Sequence, residues 1–74
     1  MSTPTDRNDG TSGVGARLRQ LREKRLLSQR DLATLAGVSQ TTIVNIEGGR
    51  TRPHPSTLRR LAVALGVGPE ALVG

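Results

Sequence analysis

Between Leu27 and Arg50 the chain runs LSQRDLATLAGVSQTTIVNIEGGR, two short apolar patterns of helical spacing with only a Gly-Val step between them. No other stretch restricts the fold so tightly. Ser28 stands three residues ahead of Asp31 and just before Leu32 and Ala33, a capping-box arrangement built with the shorter acid. A helix is therefore expected over about residues 28–36. Gly37 can take the positive φ that ends a helix abruptly, Val38 is apolar, and Ser39 can cap a second helix by accepting from a free backbone N–H. That second helix is expected over about residues 39–47, with Ile43 and Ile46 directed to the core and Gln40, Thr41, Val44 and Asn45 on other faces. Gly48 and Gly49 stop it.

The flanking sequence extends the same pattern. From Val14 onward Leu18 and Leu21 share a helical stripe, while Arg17, Arg19, Glu23 and Lys24 fall elsewhere. The segment RTRPHP, Arg50 to Pro55, cannot be helical, because each proline pushes its predecessor into extended geometry. It is a basic loop. Pro55 suits the first position of a fourth helix with His54 as an imperfect cap, and Leu58, Leu61, Ala62 and Leu65 form that helix's apolar stripe. Gly66 closes it, and GVGPEALVG predicts a short fifth helix from Pro69 with Leu72 as its core contact. Residues 1–13, MSTPTDRNDGTSG, hold one large apolar side chain, too little to offset the entropy of ordering, and are expected to be a disordered tail. No strand-length alternation, internal repeat or second domain is legible. The expectation is an all-α bundle of five helices over residues 14–74.

Composition narrows the chemistry. A chain of 74 residues supports one small core but not a deep catalytic pocket. It has no Cys and one His, which removes disulfides, thiolate metal sites and His clusters. Asp31, Glu47 and His54 form no local acid-base motif, so an enzyme is not expected, nor is any cofactor or metal. Eleven Lys and Arg face six Asp and Glu, and ten of the eleven cations are Arg, whose planar fork suits phosphates and guanine edges. A polyanionic partner fits that balance. Phe, Tyr and Trp are absent, so the rings on which single-stranded nucleic acids stack are missing, and duplex DNA is the favoured polyanion. No apolar run approaches the roughly 18 residues of a membrane span, and no signal sequence opens the chain, so a cytoplasmic protein is expected.

Two short helices joined by a three-to-four-residue turn form a helix-turn-helix, whose second helix enters the major groove. Uncharged residues at its start have a use there. Gln can bond adenine N6 and N7 together, and a Thr methyl can sit against the thymine methyl, whereas charges hold phosphate but discriminate bases less.

The pieces LSQ.DLA...GVSQTTI, IE.GR, P...TLRRLA.ALGV and a terminal EAL occur in an order and spacing that resemble the Cro/C1-type helix-turn-helix family, also called the XRE family, from about Val14 to the C-terminus. The resemblance implies a five-helix bundle of the lambda-repressor-like DNA-binding type. It also implies a bacterial or phage transcriptional regulator, in the first place a repressor, acting as a weak homodimer on a double-stranded DNA operator. By the same resemblance Gln40, Thr41 and Asn45 match base-reading positions. Ser28, Gln29, Ser39, Thr42, Arg50 and Arg52 match positions that contact or orient the DNA backbone, though Ser28 and Ser39 also suffice as helix caps. Arg22 and Glu47 match a structural ion pair. Three residues depart from the pattern: Leu26 stands where Gly is common, Val44 where a polar residue is common, and His54 where Ser or Thr often caps. An alternative function of another class is an antitoxin, a protein-interaction module that sequesters a toxin and binds DNA for autoregulation.

Overall fold

The computed structural model describes residues 9–73, so most of the expected tail, residues 1–8, lies outside the described residues. Five helices follow in order: α1 (Asp9–Lys24), α2 (Gln29–Ala36), α3 (Gln40–Glu47), α4 (Pro55–Leu65) and α5 (Glu70–Val73). Helix α1 starts five residues earlier than the apolar spacing from Val14 suggested, and α5 starts one residue after Pro69. Strands are absent among the described residues.

The core is wholly aliphatic. Leu18 from α1, Leu32, Ala33 and Ala36 from α2, Ile43 and Ile46 from α3, Leu61, Ala62 and Leu65 from α4, and Leu72 from α5 are buried together. Helices α2, α3 and α4 each contribute residues three or four apart and so present one stripe inward, while α1 and α5 each contribute one fully buried leucine. Val14, Leu21, Leu27, Val38, Leu58 and Val67 pack around them. With no aromatic ring to fill volume, the helices must approach closely. Gly15 permits this: a β-carbon there would run into the Ile46 carbonyl and come within 3.0 Å of the Glu47 carbonyl. The middle of α1, around Gly15, therefore sits directly on the end of α3.

One backbone device ends four of the five helices. In each, a residue of left-handed conformation is followed by a residue whose N–H reaches back five positions, a Schellman pattern that satisfies the last carbonyls. Leu27 N–H donates to the Arg22 carbonyl at 3.2 Å, Val38 to Ala33 at 3.0 Å, Arg50 to Asn45 at 2.9 Å and Val67 to Ala62 at 3.0 Å. The left-handed residues are Leu26, Gly37, Gly49 and Gly66, with φ of 55°, 73°, 75° and 72°. Leu26 is the non-glycine among them, and its side chain is 91% exposed. Thus α1 ends in the manner Gly would have given, and a leucine tolerates the conformation. Leu27, Val38 and Val67 then turn into the core, while Arg50 points outward.

Candidate nucleic-acid interface

Helix α2 begins at a reciprocal capping box: Ser28 Oγ accepts from Asp31 N–H at 2.9 Å, and Ser28 N–H donates to Asp31 Oδ2 at 3.2 Å. Ser39 caps α3, its Oγ accepting from Thr42 N–H at 3.1 Å and lying 2.9 Å from Thr42 Oγ1. Only Gly37, Val38 and Ser39 separate the two helices. Because Val38 is drawn toward the core, the turn is compact and the axes of α2 and α3 are held by packing as well as by backbone. His54 Nδ1 accepts from Ser56 N–H at 3.3 Å and so caps α4.

Ile43 and Ile46 fix the rotation of α3. Gln40 and Thr41 are exposed on its first turn, and Val44 and Asn45 follow one turn later, half-buried, on the same outward face. Thr42 is half-buried and occupied with Ser39. Beyond α3, Arg50 and Arg52 are exposed on the loop leading to α4.

Beneath this face lies an ion pair. Arg22 Nε and Nη2 donate to Glu47 Oε2 and Oε1 at 2.7 and 3.0 Å, and Arg22 Nη1 donates to the Leu27 carbonyl at 2.8 Å. The two side chains are 12% and 5% exposed, so the pair is largely shielded from water. The hydrogen bonds to Glu47 raise the Arg22 pKa above its ordinary value, outweighing the opposing effect of burial. Gln29 Nε2 donates to Glu47 Oε1 at 3.2 Å. A single cluster thereby binds the end of α1, the start of α2 and the end of α3, the three segments that set the orientation of the outward face.

Around this cluster Arg19, Gln29, Val44, Gly48 and Arg50 line a shallow depression. Arg19 was not singled out by sequence. It lies three residues before Arg22 on α1, and its Nε donates to Glu23 Oε2 at 3.1 Å in an exposed pair. Its spacing from Arg22 was the available signal, because residues three apart share a helix face. Arg52 stands apart from this depression, in a cleft with Val14, Pro53, Leu58 and Val73. Among the described residues no group of His, Cys, Asp and Glu is placed to hold a metal ion, and no helix is long and apolar enough to cross a membrane.

A family model described as a helix-turn-helix domain matches residues 14–73. The chain belongs to this helix-turn-helix family. Over 60 residues the domain is 47% identical to the HTH-type transcriptional repressor RghR of Bacillus subtilis, covering 80% of this chain and 44% of that protein. Over 61 residues it is 41% identical to the immunity repressor protein of Bacillus phage phi105, covering 82% of this chain and 42% of that protein. The domain thus spans less than half the length of these two relatives. Among solved structures it resembles the restriction-modification controller protein C.AhdI from Aeromonas hydrophila, with a TM-score of 0.81 at 34% identity over 84% of this chain and 94% of that one. It also resembles the P22 c2 repressor in complex with a synthetic operator, with a TM-score of 0.77 at 33% identity over 81% and 91% of the two chains. The helix-turn-helix domain is accordingly of the Cro/C1 type, with the five-helix bundle of those repressors.

Proposed function

We propose that the domain binds duplex DNA sequence-specifically, with α3 in the major groove, as the DNA-binding part of a cytoplasmic transcriptional repressor. The observation that carries this reading is the outward face of α3. It offers the amides of Gln40 and Asn45 and the hydroxyl and methyl of Thr41, donors, acceptors and apolar surface suited to base edges, with no charge among them. The positive charge stands beside that face instead, in Arg19 and Arg50, and continues in Arg52 on the exposed loop to α4, where phosphates would flank an inserted helix. Gln29, at the first turn of α2, has free backbone N–H groups beside it that favour an anion, and Ser28, Ser39 and Thr42 hold the helix starts in register.

Val44 faces outward beside Asn45 and suits a thymine methyl. The chemistry needed is recognition alone, and no catalytic role enters the reading. Selection of binding sites from random duplex DNA tests it directly. A short consensus, with specific binding at least ~10³-fold tighter than to unselected duplex, is expected. Binding of all sequences with equal affinity would overturn the reading.

A further inference from the structure

The face formed by α2 and α4 carries features that DNA binding leaves unused. Of the large apolar side chains exposed on the domain, Leu35 at 60% and Val63 at 74% line one groove together with Ala36, Ser56, Arg59 and Arg60. None of these residues belongs to the α3 face or to the loop of Arg50 and Arg52. On α4, Ser56, Arg59, Arg60 and Val63 fall at i, i+3, i+4 and i+7, a single solvent-facing stripe opposite the buried Leu61, Ala62 and Leu65.

The charge on this stripe is one-sided. No acidic side chain lines the groove, and among the described residues neither Arg59 nor Arg60 takes part in a salt bridge. Arg60 is nonetheless held in place, its Nη1 donating to the Gly37 carbonyl at 3.4 Å at the end of α2. A guanidinium has five N–H donors, so this long bond leaves most of its capacity unspent. Apolar side chains beside two unneutralised cations, one of them tethered to the end of α2, match a ligand with aliphatic side chains flanked by carboxylates. A DNA backbone offers carboxylate-like charge but nothing for Leu35 and Val63.

We infer that the α2–α4 groove docks an acidic amphipathic helix of another protein, with Leu35 and Val63 receiving its apolar side chains and Arg59 and Arg60 pairing with its carboxylates. An apolar helix face laid into a groove is a common recognition mode, and burial of the apolar pair supplies the affinity while the arginines set orientation and partner choice. Because the groove and the α3 face share no residue, a partner seated there leaves the DNA-facing surface open.

The test uses the full chain, isotope-labelled, titrated with a synthetic helical peptide that carries leucines at i, i+3 and i+4 spacing flanked by glutamates. A second peptide has lysines in place of the glutamates. Amide shift changes centred on Leu35, Ala36, Arg59, Arg60 and Val63 are expected with the acidic peptide and not with the basic one. Leu35→Ser with Val63→Ser, and separately Arg59→Glu with Arg60→Glu, should each weaken the acidic peptide roughly tenfold or more. All four side chains are on the surface, and an unchanged thermal melt verifies the fold of each variant. Equal binding of both peptides, or shifts centred elsewhere, would overturn the inference. So would charge reversal that lowers affinity for selected duplex DNA while the serine variants leave the peptide unaffected, which would assign the arginines to the DNA backbone. A change in self-association caused by the serine variants would assign the groove to a second copy of the chain and equally overturn it.

Discussion

Glu47 accepts from Arg22 twice and from Gln29 once, so removing its charge strands a shielded guanidinium and loosens three helix ends together. Glu47→Gln is expected to destabilise the domain by roughly 1 to 5 kcal/mol in urea unfolding, well above the ~0 to 1 of an exposed pair such as Arg19–Glu23. The double variant Arg22→Met, Glu47→Leu should cost less than the sum of the two single changes, since it strands no charge. With the Arg22 pKa raised on folding, its contribution is complete below the unfolded-state pKa and is lost only as pH climbs through the folded one. A stability profile around neutrality should therefore be flat in this contribution. Leu26 gives a prediction of opposite sign. At φ 55° its β-carbon is strained by about 1 to 2 kcal/mol, while glycine costs about 0.5 to 1 in backbone entropy. Leu26→Gly should thus raise the melting temperature by roughly 2 to 8 °C, and Leu26→Ala, which keeps the β-carbon, should not. For readout, Gln40→Ala is expected to remove about 1 to 3 kcal/mol of discrimination at one base pair, whereas Arg52→Ala weakens all sequences alike and lowers the salt slope by about 1. Equal loss on every sequence for Gln40→Ala would refute its reading role.

Helix ends, more than helix middles, were legible in this sequence. Ser28 with Asp31, Ser39, Gly37, Gly66 and Pro55 act within a few residues of themselves, so their consequences for α2, α3 and α4 can be worked out locally, and those helices begin and end where such residues put them. The start of α1 was not legible, because Asp9 to Gly13 has no apolar periodicity to mark it. Nor was the approach of α1 to α3, which depends on the absence of a side chain at Gly15 facing carbonyls 31 and 32 residues away in sequence. Isolated glycines in a polar stretch look the same whether they lie against a neighbour or in solvent. Gly15→Ala tests the contact: the added carbon must push α1 off the Ile46 and Glu47 carbonyls, at a cost of about 1 to 3 kcal/mol. Gly13→Ala, where a β-carbon meets nothing within 4 Å, should stabilise α1 by up to about 1 kcal/mol. On the α3 face, Gln40, Thr41 and Asn45 could be placed from the positions of Ile43 and Ile46. Arg19 and its neighbours around the ion pair required the fold, since only packing brings α1 beside α3.

A single recognition helix reaches only about four or five base pairs, too few to single out an operator, and two copies related by a two-fold axis double the site. Val67, Ala71, Leu72 and Val73 put apolar side chains on and just before α5, where such a self-contact could form. Leu72 is excluded, because it is fully buried in the core and unavailable to a second copy. Val73 remains 53% exposed, at a cleft with Val14, Pro53 and Leu58. That surface is small, so association of the free chain should be weak. On DNA a second copy is expected to bind beside the first at high effective concentration, which would turn a weak contact into a cooperative step. Half-sites should lie about 10 base pairs apart, roughly 34 Å, which sets both copies on one side of the duplex. Val73→Ser should then weaken cooperativity in a gel-shift titration while leaving the affinity for an isolated half-site within about twofold, because it adds no charge beside Arg52, which lines the same cleft. Stoichiometry from sedimentation decides the matter: two subunits per selected site are expected, and a single subunit bound with no cooperative step would reject the dimer while leaving the fold intact.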